Sequence, residues 1–292
     1  MPLSSFLRLI LLAAIWGGSF LFMRIAAPVL GAAWVAEFRV ALAAFFLAAV
    51  ALYLGRKLKT RKYWRHYLFL GLFNSALPFL LFAYAAQTLT ASLLAILNAT
   101  APIWGAAIAG FTGRQPLTGR SIMGLALGAV GVSVLVGFDL TSTSGNGLPA
   151  VSAALTASFC YGIASNYAAG APAVDGFNNA HGSMWASAIV LLPIAALFPV
   201  TEMPGPGIVS AVVALGVMCS GIAYILYFRL IHDEGATSAL SVTFLVPVFG
   251  VLWGYLFLEE AIGGHTVSGA FVVLLGTMLV TGFSLRSLRA MR

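Results

Sequence analysis

Groups that could do chemistry are scarce in this chain of 292 residues, which has 15 Lys and Arg, eight Asp and Glu, four His and two Cys. Glu37 and Arg39 stand together in an otherwise apolar run, and ionisable groups in such a setting are functional candidates by default. Two positions apart on a helix, they point about 200° from one another and cannot neutralise each other side by side. Arg39 is expected to lock neighbouring helices by donating to backbone carbonyls, the alternative being a role at a binding site. His181 lies about one turn into another apolar run, where hydrogen bonding is the ordinary role and proton carriage the alternative. Cys160 and Cys219 also fall in apolar runs and read as buried small hydrophobes, not as a disulfide. There is no G-x-S-x-G, no H-E-x-x-H and no aspartate pair at ligand spacing, so no catalytic residue, metal or cofactor is expected. His232-Asp233-Glu234 reads as a solvated turn.

The elements that must hold these groups are set by composition. Hydrophobic residues make up 61% and charged residues 8% of the chain, with a mean hydropathy of +1.01, far from the quarter or so of charged residues usual in a soluble domain. This predicts an all-α integral membrane protein. A span needs about 20 mostly apolar residues, and ten candidates occur, at roughly 5–25, 31–54, 66–87, 89–111, 118–138, 147–169, 177–199, 207–230, 237–258 and 265–285. The net charge of +7 would suggest nucleic acid in a soluble chain, but its placement gives orientation instead, and no nucleic-acid partner is expected. Arg8, the run from Arg56 to Arg65, Arg114, Arg120, Arg286, Arg289 and Arg292 fall on one side, and Asp139, Glu202, Glu259 and Glu260 on the other. The positive-inside rule then makes both termini cytoplasmic. The first span lacks a charged leader and a small-residue cleavage site and is expected to be retained.

The chain repeats itself. Ala91, Ala95, Asn98, Pro102 and Gly105 form one helical stripe of small or kinking residues. The stripe returns as Ala236, Leu240, Thr243, Pro247 and Gly250, at a constant offset of 145. Gly17, Gly71, Gly119, Gly124, Gly131 and Gly137 recur at the same offset as Gly162, Gly216, Gly264, Gly269, Gly276 and Gly282. Two five-span repeats follow, residues 1–140 and 141–292, with the polar, glycine-containing stretch 139–149 as linker. Five is odd, so the second repeat crosses in the opposite sense, an inverted repeat that puts a binding site at the repeat interface near mid-bilayer. Gln87 to Thr90 and His232 to Ala236 are expected to close two tight helical hairpins. Gly124 and Gly128 permit close helix approach, within the chain or between copies, so a monomer or weak homodimer is expected.

Several residues are candidates for the lining of a central cavity. Trp16, Trp104 and Trp185 lie too deep for the aromatic belt that explains Trp34, Trp64 and Trp253. Phe79, Phe82, Tyr84, Tyr161, Tyr224 and Tyr227 add aromatic surface, with core packing as the alternative. Asn74, Ser75, Asn98, Asn166 and Thr243 each need a partner in hydrocarbon. Asn98 is singled out because it shares its stripe with Pro102 and has Thr243, beside Pro247, as its repeat mate.

Trp16-Gly17-Gly18-Ser19-Phe20, Phe38-Arg39, the hairpin from Tyr84 to Pro102, the loop around Arg114 and the repetition of this pattern resemble the ten-helix drug/metabolite transporter superfamily. The resemblance covers essentially the whole chain and is closest to bacterial aromatic amino-acid exporters. It implies ten helices in two inverted repeats around a central cavity, export by alternating access, and an inner-membrane location. A multidrug or cationic-compound exporter is the alternative, and an intramembrane enzyme or a receptor the alternatives of another class. A phosphorylated substrate would call for clustered cations and a cationic drug for a carboxylate in the first span, so a neutral or zwitterionic small molecule with an apolar part is favoured. The remaining acids fall in loops and Glu37 lies off-centre, so movement down the substrate gradient is expected, with Glu37 serving structure or gating.

Overall fold

In hydrocarbon every backbone N–H and C=O must be paired within its own segment, so apolar runs of this length form helices. The computed structural model describes residues 2–139, 147–200 and 203–282, excepting the side chains of residues 137–139, 236–238 and 240. Nine helices form among the described residues. They are α1 Leu3–Tyr53, α2 Thr60–Ala86, α3 Ala91–Phe111, α4 Gly119–Asp139, α5 Gly147–Ala168, α6 Gly176–Ala196, α7 Pro206–Gly235, α8 Val242–Leu258 and α9 Gly264–Thr281. Most of the expected linker, Glu202, and Arg286, Arg289 and Arg292 lie outside the described residues, as do the side chains of Asp139, Ala236 and Leu240.

The chain is an all-helical membrane protein with seven to nine apolar spanning helices. Seven helices are long and apolar enough to cross a membrane, α8 is apolar but shorter, and α6 has 21 residues. The difference from ten arises in α1, where the first two expected spans run together as 51 residues bent at Gly31. Gly31 has φ 75° and ψ 158°, a conformation closed to most side chains, and Pro28 one turn earlier removes a donor. The expected hairpin at 232–236 also differs, because helix continues through His232 to Gly235 before the backbone opens at φ 82°. His232-Asp233-Glu234 is therefore helical, and Asp233 pairs with Arg8 at 2.5 Å and with Arg229 at 3.9 Å. The hairpin at 87–90 forms as expected, with Thr90 accepting from the Leu93 N–H as N-cap.

Contacts between helices obey the 145-residue offset. A methyl group on Gly17 would lie 2.7 Å from Phe249 Cβ and 2.8 Å from the Gly250 nitrogen. One on Gly162 would meet Trp104 Cβ and the Gly105 nitrogen, each at 2.9 Å. Gly71 packs in the same way on Ser183 and Ser187, and its mate Gly216 on Arg39 and Leu42. Gly124 meets Gly276 and Gly131 meets Gly269, so α4 and α9 pack backbone to backbone within the chain. Each repeat thus lends its small-residue faces to the other.

The stripe helix α3 is not continuous. Helix stops at Asn98 and resumes at Ala101, so Asn98, Pro102 and Gly105 do not share one unbroken face. Ser158 of α5 donates to the Leu97 carbonyl and Thr277 of α9 to the Ala99 carbonyl, both at 2.9 Å. Together with Thr100, whose hydroxyl also donates to the Leu97 carbonyl at 2.6 Å, these hydroxyls serve carbonyls at the break. In α8 the helix runs through Pro247 unbroken. The positions that would offer the same hydroxyls there are Ala13 and Val132.

Candidate functional site

α2 and α7 each contain a segment of π-helix, Leu72–Ala76 and Ala214–Ile222. At the 145 offset the first maps inside the second, and such wide turns are frequent at functional sites. They present Asn74 and Ser75 on one side and Cys219 and Ser220 on the other. The bend in α1 lets one helix supply Trp16, Phe20 and Met23 before the break and Arg39 after it.

An aromatic cluster forms between these elements, and it too is reciprocal. Trp16 packs on Tyr227, centroids 5.3 Å apart, and edge-on to Tyr224 at 6.2 Å. Its repeat mate Tyr161 stacks on Phe82, the mate of Tyr227, at 6.3 Å, and Phe82 meets Phe20 at 5.5 Å. The mate of Tyr224 is Phe79, and its ring lies under Arg39, with Cζ 3.6 Å from the centroid. Trp16, Asn74, Tyr161, Tyr224 and Tyr227 keep partial accessibility beside fully buried core.

Arg39 itself is 5% exposed. Its Nε donates to Ser220 Oγ at 2.8 Å and Nη1 approaches Met23 Sδ at 3.6 Å. The expectation that it bonds backbone carbonyls is corrected: its partners are a hydroxyl, a thioether and a ring face. No carboxylate among the described residues lies within ion-pairing distance of it. Asn74 donates to the Tyr224 hydroxyl at 3.2 Å. Cys219 points its thiol at the Ile15 carbonyl, 3.2 Å away. Thus Trp16, Asn74, Phe79, Phe82, Tyr161, Tyr224, Tyr227 and Arg39 come together.

The other candidates make different contacts. Tyr84, 46% exposed, faces a separate cavity of about 540 Å³ with Leu30, Gly31, Gln87, Ile194 and Phe198. Trp185 donates to His181 Nε2 at 3.0 Å and borders a cavity of about 190 Å³ between α2 and α6. Trp104 packs edge-on to Phe159 and leaves its indole N–H buried without a partner. Asn98 and Thr243 are half-buried and, contrary to expectation, neither makes a side-chain hydrogen bond among the described residues. Pro102 borders the break in α3, and Pro247 is buried within α8. Glu37 is buried with Oε2 unpartnered, and it does not pair with Arg39. Asn166 has the structural role its class suggests, donating to the carbonyls of Gly105 and Gly162.

Three residues matter more than the sequence indicated. Trp253, expected in an aromatic belt, donates to the Ala14 carbonyl at 2.9 Å, over Gly18, which leaves room for its ring. Glu260 accepts from the N–H groups of Ala91 and Ser92 at 2.6 and 3.0 Å and from Ser92 Oγ at 2.6 Å. Arg24 donates to the carbonyls of Ala86 and Gln87 at the other side of the same turn. The turn between α2 and α3 is therefore held at the C-terminal end of one helix by a cation and at the N-terminal end of the next by an anion, each matching its helix dipole.

A multi-pass helical protein whose two halves exchange contacts around a buried polar and aromatic cluster has the build of a solute carrier. The profile of the EamA-like transporter family matches residues 3–137 and again 148–282, and the chain belongs to that family, within the drug/metabolite transporter superfamily. It is a membrane transporter, not an enzyme. Protein PecM of Dickeya dadantii is 24% identical over 245 residues, 83% of this chain and 82% of that protein. An uncharacterised transporter of Archaeoglobus fulgidus is 23% identical over 280 residues, 93% and 96% of the two chains. A protein crystal structure with 18% identity superposes over 98% of this chain and 99% of its own, with a TM-score of 0.67, a likeness of fold.

Proposed function

We propose that the protein exports amino acids or similar small metabolites, neutral or zwitterionic with an apolar or aromatic part, by alternating access at the aromatic cluster. The observation that carries this reading is the cluster itself: Trp16, Tyr224 and Tyr227 from one set of positions and Tyr161, Phe79 and Phe82 from their mates. Aromatic faces suit an apolar solute part, while Asn74 and the tyrosine hydroxyls offer the few polar groups that fix orientation. No carboxylate contacts the cluster among the described residues, which favours this reading over a cationic-compound exporter.

In this reading α1 makes two crossings, because 51 residues at 1.5 Å each would extend about 77 Å against a hydrocarbon core of about 30 Å. Ten crossings then form two inverted five-helix repeats, residues 1–140 and 141–292, in the cell inner membrane with both termini cytoplasmic. The protein acts as a monomer or weak homodimer, the α4 and α9 glycines being used within the chain. Transport runs down the substrate gradient, with Glu37 in a structural or gating role.

Counterflow in proteoliposomes, with panels of amino acids and of cationic dyes, tests the reading. Exchange of apolar or aromatic amino acids, unaltered by an imposed pH gradient, is expected. Exchange confined to the dyes would overturn it in favour of a cationic-compound exporter, and uphill movement lost in Glu37→Gln would overturn the facilitative mechanism.

A further inference from the structure

Three arginines of this protein, Arg114 exposed, Arg24 part-buried and Arg39 buried, meet two kinds of surroundings. Arg24 donates to two backbone carbonyls, and Arg114 donates to the Asn166 carbonyl. Both do what a structural arginine does in an apolar protein, satisfying carbonyls at helix ends. Arg39 has neither a carbonyl nor a carboxylate. A guanidinium carries five N–H donors and a full charge, and here it has one hydroxyl, one thioether and the face of Phe79. Removing a charge from water without an opposing charge costs several kcal/mol, so a protein that keeps it there is short of an anion.

The surroundings say what the anion is. Arg39 lies over Phe79, in the cluster whose other members Trp16, Tyr161, Tyr224 and Tyr227 keep partial accessibility. Its repeat mate is Met184, fully buried, so the pseudo-symmetric site holds one cation and not two. One fork of donors matches one planar, singly charged acceptor, and the rings beside it match an apolar remainder.

We infer that Arg39 is the anchor for a single carboxylate of the solute, held by the guanidinium fork while the apolar part lies against the aromatic rings. This rests on the reading of the aromatic cluster as the solute site. The solute thereby carries a carboxylate, as an amino acid does, and the corresponding amides and amines are excluded. An anchored carboxylate also supplies the opposing charge that no described residue gives Arg39, so bound solute stabilises the protein beyond its apolar contacts.

The test uses the full chain, purified in detergent and in proteoliposomes, with 3-phenylpropionate and its amide as matched probes. The carboxylate should raise the melting temperature of the wild type and the amide should not, and the wild type should prefer the carboxylate by about 10- to 100-fold, as for a charged hydrogen-bonded pair. Arg39→Met should melt at or above the wild-type temperature without solute, since it removes an uncompensated charge at similar volume, and should lose the carboxylate-induced shift. If Arg39→Met does not fold, Arg39→Lys decides: about tenfold weaker binding of 3-phenylpropionate supports the anchor and unchanged binding overturns it. Equal response to acid and amide, response to neither, or a shift retained in Arg39→Met overturns it also. Tyr161→Ala tests the location separately. Counterflow unaffected by that change removes the solute site from the cluster, whereas counterflow lost there, with acid and amide handled alike in wild type, removes only the role of Arg39.

Discussion

Gly17 lies so close to Gly250 that a methyl group on it would sit 2.8 Å from the Gly250 nitrogen, and Gly162 stands against Gly105 in the same way 145 positions on. Both are helix backbones in contact across the two halves, where no side chain fits. Gly17→Leu and Gly162→Leu should each lower stability by about 1–3 kcal/mol, the usual cost of overpacking, read as a lower melting temperature of purified protein. Gly119→Leu is the control, because nothing lies within 4 Å of the added carbon there, and it should melt near the wild type.

The Gly17 and Gly162 contacts explain how much of the fold was legible in the sequence. A glycine demanded by backbone contact leaves a mark at its own position, and both partners of a reciprocal contact repeat at one offset. The two-repeat build could therefore be read directly, as could Trp16, Tyr161 and Phe82 as one group of candidates. Pro102 marked a kink in α3, but the full break at Ala99 could not be read, because besides the local Thr100 hydroxyl it uses Ser158 and Thr277, remote in sequence and ordinary in type. The same holds for Trp253, whose partner Ala14 offers only its carbonyl, and for Glu260, two of whose three donors are the backbone N–H groups of Ala91 and Ser92. The Asn98 stripe differs from its sequence reading for a related reason: it was drawn on an ideal helix, and the helix ends at that residue.

The hydroxyls at the break should be measurable. Ser158→Ala and Thr277→Val each remove one interhelical hydrogen bond and leave a carbonyl less satisfied, at a cost of about 0.6–2 kcal/mol. The double variant should lose roughly the sum if the two bonds act independently, since they serve different carbonyls. Melting curves of both singles and the double check this, and a double variant no less stable than wild type would mean that the break is satisfied by other groups.

Glu260 ties the loop after α8 to the first turn of α3. Glu260→Gln keeps the shape but removes the charge, and one amide oxygen must then serve donors that two carboxylate oxygens served. The loss should be about 1–2 kcal/mol for a capping group facing a helix N-terminus. Ser92→Ala, which removes one of the three donors and keeps the carboxylate at the helix end, should cost less. If Glu260→Gln melts like the wild type while Ser92→Ala does not, the hydroxyl contact and not the cap is what matters.

The last prediction concerns orientation, which the ion pairs and caps of the folded chain make testable. Arg8 with Asp233 and Arg56 with Asp175 join helix ends on the side of the chain's N-terminus, and the dense Lys and Arg loop from Arg56 to Arg65 lies there too. The Glu260 and Arg24 contacts to the turn between α2 and α3 hold the opposite side. Cationic loops stay in the cytoplasm, so both termini should be cytoplasmic and the turn external. Cys160 and Cys219 are buried, which gives the wild type a low background for a membrane-impermeant thiol reagent. A cysteine at Ser144, in the linker, should be labelled from outside intact cells, and one at Thr60, exposed at the start of α2, only after permeabilisation. Labelling of Thr60→Cys from outside, with Ser144→Cys protected, would reverse the topology and with it the side from which solute is taken up.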